Sequence, residues 1–135
     1  MTTNIKNKEL IISDSFGMWI TGLWGNIFFQ NPDFTFGEHK QAFLSIIKEL
    51  FDDGRVSFVK PGADVYYNEK TNPNPKYTIQ QPESHWGVSS DEIVDFLLAE
   101  WPEDASHRDD PQLNGYFYKV PAIIWKNNDR EWFGS

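Results

Sequence analysis

The chain has 135 residues, no cysteine and a formal net charge of −8, which excludes disulfides, thiolate metal sites and cysteine nucleophiles. Its length suits one domain with a real core, and aromatics at 16% supply ample apolar material for it. The acidity argues against DNA or RNA as a partner, the start MTTNIKNKELIISDS lacks the apolar stretch of a leader, and no window is apolar enough to span a bilayer, so the expectation is a cytoplasmic protein without a membrane partner.

In chain order, the first predicted helix runs from about Asp14 to Gln30 with Ser13 or Asp14 as N-cap. Phe16, Trp19, Ile20, Leu23, Trp24 and Ile27 share its apolar stripe, and Asn31-Pro32 ends it, because a residue before proline avoids helical angles. Thr35-Phe-Gly-Glu38 then reads as a capping box. Behind it Phe36, Phe43, Ile46, Ile47, Leu50 and Phe51 repeat at three- and four-residue spacing, and Gly54 suits the left-handed position that closes a helix.

Arg55–Lys60 is a predicted strand, followed by a turn at Pro61-Gly62 and short strands at Asp64–Asn68 and Tyr77–Gln80. Ser89 and Glu92 form a second capping box, opening a helix with Ile93, Val94, Leu97, Leu98 and Trp101 inward. Asp91, Glu92 and Asp95 point outward, and Pro102 stops the helix. Residues 102–114 have no periodicity and read as a polar loop. Tyr116–Val120 and Ala122–Lys126 flank Pro121 as strands, Asn127-Asn128-Asp129 turns, and Glu131–Phe133 pairs back. The expected fold is therefore α+β in a single domain spanning 1–135: two N-terminal helices and one later helix on a mostly antiparallel sheet of about five short strands.

Charge is the most uneven property of the chain. Glu83, Asp91, Glu92, Asp95, Glu100, Glu103, Asp104, Asp109 and Asp110 share their stretch with one fixed cation, Arg108, so this segment carries as much net charge as the whole protein. Like charges confined in this way repel, and a cationic partner relieves them. A soluble acidic surface needs no partner, but confinement to one helix face and its following loop favours recognition.

Catalytic starting materials are sparse. His39, His85 and His107 are far apart and belong to no HExxH-type motif. His39 falls at the margin of an apolar face, where a packed histidine is the simpler reading. His107, Asp109 and Asp110 form the most metal-like string, yet their spacing matches no calcium loop, so a solvated loop competes with a small metal-binding protein or enzyme. Ser84-His85 lacks a nucleophile elbow, since adjacent side chains do not face each other, and no glycine loop cradles phosphate. Trp19, Trp24 and Trp101 read as core; Trp86, Trp125 and Trp132 are less constrained. Exposed tryptophans among carboxylates would suit carbohydrate or adaptor binding. The expectation is a protein with no cofactor and no enzymatic activity.

Three stretches carry a resemblance: Ser13-Asp-Ser-Phe-Gly-Met-Trp19, Asn31-Pro-Asp-Phe-Thr-Phe36 with the helix ending Asp53-Gly54-Arg55, and Val120-Pro-Ala-Ile-Ile-Trp125 with the later Trp132. Together they resemble a bacterial family of small acidic domains of unknown function encoded beside polymorphic toxins, including contact-dependent growth inhibition systems. Members of that family look like immunity proteins. The likeness covers most of the chain, and Pro61 to Gln81 departs from it. It implies a stoichiometric inhibitor that binds a cognate toxin domain, and a basic nuclease-type toxin would complement the acidic segment. On this reading Asp91, Glu92, Asp95, Glu103, Asp104, Asp109 and Asp110 meet the partner, with Trp86 as an anchor.

Overall fold

The structure is a computed structural model that describes residues 4–134. Residues 1–3, where the comparison with a leader began, lie outside it. Among the described residues, five helices surround a three-stranded antiparallel sheet, α1 (Lys8–Ser15), α2 (Ile20–Gln30), α3 (Phe36–Asp52), β1 (Val56–Phe58), α4 (Ser90–Ala99), α5 (Pro111–Lys119), β2 (Ile123–Lys126) and β3 (Trp132–Phe133). The broad α+β class holds, but the expected three helices on five strands do not.

The single helix expected over Asp14–Gln30 is broken in two. Gly17 adopts φ +76°, a left-handed angle that side-chain-bearing residues avoid, and Trp19 in extended geometry becomes the N-cap of α2. Ser13 and Asp14, read as N-caps, therefore lie in the last turn of α1. Ser15 joins the two pieces: its hydroxyl donates to the Ile11 carbonyl at 2.7 Å and accepts from Asn26 Nδ2 at 2.9 Å. Within α2 the stripe Ile20, Leu23, Trp24 and Ile27 is buried as its spacing requires. Phe16 and Trp19 stay 43% and 44% exposed, because the break rotates them off that stripe.

α3 follows its sequence signals closely. Thr35 Oγ1 accepts from the Glu38 amide at 3.1 Å while Glu38 Oε1 accepts from the Thr35 amide at 2.9 Å. Such a cap is worth about 1 kcal/mol. Gly54, at φ +71°, closes the other end, with Arg55 N–H bonded to the Leu50 carbonyl and Gly54 N–H to that of Phe51. This is the Schellman pattern, which satisfies carbonyls that the helix leaves open.

β1 pairs antiparallel with β2, Val56 opposite Trp125 and Phe58 opposite Ile123, and β2 pairs with β3. The turn between the last two is held by Asn127 Oδ1, which accepts from the amides of Asp129 and Glu131. Val56, Ser57, Phe58 and Val59 are all buried, so β1 is covered on both faces rather than alternating. The strands expected at Asp64–Asn68 and Tyr77–Gln80 are loop. There side chains replace a ladder: Asp64 accepts from Asn72 Nδ2 and the Lys76 amide, and Asn68 Oδ1 accepts from the amides of Lys70 and Thr71.

The strand expected at Tyr116–Val120 is instead the second half of α5, and the loop expected over 102–114 ends at Asp110. Asp110 caps α5 by accepting from the Gln112 amide, and Pro111 occupies the first helical position. Leu113, Tyr116, Phe117 and Val120 are buried, and Tyr116 Oη donates to the Leu97 carbonyl at 2.7 Å, tying α5 to α4.

The break and the helix it creates make opposite predictions for two glycines. Gly17→Ala should destabilise by about 1 kcal/mol, because alanine is strained at a left-handed angle. Gly25→Ala lies inside α2 with open space around its Cα and should stabilise by up to about 1 kcal/mol. Urea midpoints measure both; equal effects at the two sites would contradict a break at Gly17.

Candidate functional site

The outward face of α4 and the loop after it form the candidate surface. The Ser89–Glu92 capping box fixes the start of α4, with the Glu92 amide 3.2 Å from Ser89 Oγ. Ile93 and Leu97 are then buried against α3, and Asp91, Glu92 and Asp95 are exposed on the opposite side. A hundred degrees per residue also places Leu98 beside Asp91 and Asp95, and it is 43% exposed. The sequence pattern assigned Leu98 to the buried stripe with Leu97; its wheel position next to Asp91 was the signal to the contrary. An exposed leucine flanked by carboxylates adds apolar area to an otherwise charged face.

The carboxylates differ in their freedom. Asp91 pairs with Lys48 Nζ at 2.9 Å, and the same ammonium reaches Ser90 Oγ at 2.9 Å and Asp52 at 3.4 Å. This clamps α4 to α3. The hydrogen bond to Asp91 raises Lys48 above its ordinary range, and a Ser90 hydroxyl bond, with Lys48 nearby, lowers Asp52. Glu92 is engaged in the cap. Asp95, Glu103 and Asp104 are exposed and form no ion pair within 4 Å among the described residues. α4 also ends without a basic residue in its last turn, so Glu100, Glu103 and Asp104 sit at the negative end of its dipole. Lys40, over the Trp101 ring at 4.8 Å, and Lys119, in a cleft with Glu100, are the nearby cations, and neither pairs with these carboxylates within 4 Å among the described residues.

Three of the expected positions depart from a single face. Asp110 is buried as the α5 cap, Oδ1 accepting from Gln112 N–H at 3.0 Å and Oδ2 from Ser106 N–H at 3.2 Å. These bonds, led by Gln112, hold its carboxyl below the usual range. It is a structural residue, not a partner contact. Asp109 is exposed and 3.7 Å from Arg108 Nε, in a different setting: it lines a cleft with Thr21, Trp24, His39 and Asn114. Trp86 is half-buried, its ring edge-on to Phe96 at 5.0 Å, so it supports α4 from beneath rather than standing free.

The His107, Asp109 and Asp110 string is likewise taken apart, since Asp110 Oδ1 caps the helix and Oδ2 is held by the Ser106 amide. Among the described residues no group of three or more His, Asp or Glu side chains is placed to hold a metal ion. Among the described residues no helix is long and apolar enough to cross a membrane. Trp24, Trp101 and Trp125 are core, and Trp132 is half-buried.

Beneath this surface His39 is 1% exposed and stacked on Trp24, with ring centroids 3.5 Å apart. Nε2–H donates to the Trp24 carbonyl at 2.7 Å, which makes Nδ1 an unprotonated acceptor, and Nδ1 finds no donor among the described residues. Burial lowers its pKa to about 4; the Arg108 charge pushes the same way, while the Trp24 bond and Asp109 oppose it. The unfolded chain therefore binds a proton that the folded one refuses between pH 6.5 and 4. His39 should cost up to about 3 kcal/mol of stability as pH falls through that window, with no further loss below it. His39→Phe keeps a stacking ring and should lack this component in urea titrations taken at several pH values. Parallel pH profiles for the two proteins would refute it.

No family model, no curated protein and no solved structure matches this chain.

Proposed function

We propose that the protein is a cytoplasmic immunity protein that neutralises a cognate bacterial toxin domain by binding it through the outward face of α4 and the turn after it. The observation that carries this reading is the negative end of α4, whose carboxylates form no ion pair among the described residues. Asp95, Glu103 and Asp104 are exposed without ion pairs among the described residues, and no cation occupies the last turn of α4. Holding carboxylates there works against the helix dipole and against one another. A basic partner removes that cost, speeds its own encounter and disfavours acidic competitors. Leu98 supplies apolar contact within the same face.

The resemblance to small acidic domains found beside polymorphic toxins supports the same partner class. Inhibition of this type needs no chemistry from the inhibitor: covering or distorting the toxin is sufficient. Asp109 and Asp110 take no part in the revised surface, and Trp86 contributes by supporting α4.

The triple reversal Asp95→Lys, Glu103→Lys and Asp104→Lys tests this. Against a cognate toxin domain, it should slow association by about tenfold or more at low salt and abolish protection of growth. The wild-type association rate should itself fall as salt rises. Unchanged association and protection in the triple variant would sink the proposal.

A further inference from the structure

Strand β3 is the outermost strand on its side of the sheet, and one side chain closes its edge. Lys126 lies opposite Trp132 in the β2–β3 ladder, and the neighbouring Asn127 N–H bonds to the Glu131 carbonyl. Antiparallel pairs alternate between exchanging both bonds and exchanging none. The Trp132 N–H and carbonyl therefore point away from β2, towards the position where a further strand would pair. Gln80 fills that position. Its Oε1 accepts from the Trp132 N–H at 2.8 Å, and its Nε2 donates to the Trp132 carbonyl at 2.7 Å. The side-chain amide makes the two bonds that a residue of another strand would exchange with Trp132.

The segment that supplies Gln80 also closes the opposite edge. Lys60 N–H bonds to the Ser84 carbonyl and Trp86 N–H to that of Phe58, so residues 84–86 run beside β1. The His85 ring meets the Trp132 ring edge-on, with centroids 4.7 Å apart, which links the two ends. The edges differ in kind. Main chain covers β1, whereas the cover at Trp132 is the exposed Gln80 side chain.

Edge strands invite pairing with another chain and are commonly blunted by a lysine, a proline or a bulge. β3 is Trp132-Phe133 and carries no charge or proline, and the charges around its turn, Lys126, Asp129, Arg130 and Glu131, cancel. Its shortness leaves Trp132 as the outward-facing residue, so one glutamine suffices to satisfy it. Phe133 is 42% exposed and packs on the half-exposed Phe16 at 5.8 Å, which places apolar surface beside the same edge. An outward N–H and carbonyl on one residue are their own complement. Two copies related by a two-fold axis exchange both bonds between their Trp132 residues. We propose that Gln80 guards this edge and keeps the chain monomeric: with Gln80 in place the pairing position is taken, and without it a second copy of the chain occupies it.

Sedimentation of the wild type and Gln80→Ala tests this at physiological salt, which screens repulsion between two chains of charge −8. So small an interface is weak, so the wild type should stay monomeric up to about 1 mM while Gln80→Ala forms dimers within that range. Amide exchange locates the contact. The Trp132 amide should be protected in the wild type at every concentration. In Gln80→Ala it should exchange about tenfold or more faster when dilute and regain protection as dimers form. The Trp86 amide, at the other end of the segment, should stay protected throughout. Adding Trp132→Pro to Gln80→Ala removes the donor at an edge position that tolerates proline, and should return the chain to monomer. Five results would each overturn the proposal: a monomeric Gln80→Ala, a wild type that dimerises as readily, dimers that leave the Trp132 amide exposed, parallel loss of protection at Trp86, or dimers that persist with Trp132→Pro. Asp95, Glu103 and Asp104 take no part in these measurements, so their outcome is separate from that of the toxin-binding proposal.

Discussion

The environment of Trp24 is the constraint on which the rest of the molecule depends. Its ring lies flat on His39, meets Phe43 edge-on at 5.3 Å, and lies within 6 Å of Trp101 and Phe117. Its carbonyl accepts from His39 and its Nε1–H donates to the Arg108 carbonyl at 3.1 Å. One side chain on α2 therefore touches α3, Trp101 in the turn after α4, the acidic loop and α5. Aromatic pairs are each worth about 0.5–1.5 kcal/mol beyond simple burial, and they share one ring here, so they act together. Arg108 adds to the arrangement by lying over Phe28 at 3.7 Å. The single cation of the acidic segment fastens the loop and pairs with Asp109, so it does not reach Asp95, Glu103 or Asp104.

The surface chemistry follows from that anchoring. Because the loop is held by its main chain and by Arg108, Glu103 and Asp104 project without being needed for packing. Because α4 is clamped to α3 by Lys48 and to α5 by the Tyr116 hydroxyl, its outward face keeps one orientation. Burial pushes the Tyr116 phenol far above its ordinary range, with the Glu100 charge acting the same way, so that donor stays protonated. A preformed face of this kind binds a partner without first ordering itself, which favours affinity.

Much of this was legible in the residues, and the failures have specific causes. Thr35 and Glu38, Ser89 and Glu92, and Gly54 act locally, through atoms a few positions apart, so their signals survive folding intact. The first helix was misread because the apolar stripe runs across the break; periodicity alone does not register that Gly17 turns left-handed. Helix α5 was missed although Asp110-Pro111 is a helix start and Leu113, Tyr116, Phe117 and Val120 have helical spacing. The run Tyr116-Phe117-Tyr118 has strong strand preference, and Gly115 weakens the helical signal, but burial against Leu97 and Trp24 decided the outcome. The loop at 64–80 has strand-like residues without a neighbouring strand to pair with. For the candidate site, the carboxylates of α4 were placed by periodicity, whereas the fate of Asp110 depended on recognising a cap.

The central claim is that Trp24 holds the acidic loop in place as a preformed surface. Native-state amide exchange of Trp24→Phe tests it most directly, because phenylalanine keeps an aromatic ring but cannot donate to the Arg108 carbonyl. The account predicts a selective loss of protection at Asp110 and Leu113, whose amides bond to His107 and Asp110, while Ile93 in α4 keeps its protection relative to global unfolding. Uniform change across the protein, or unaltered protection at Asp110 and Leu113, would contradict it.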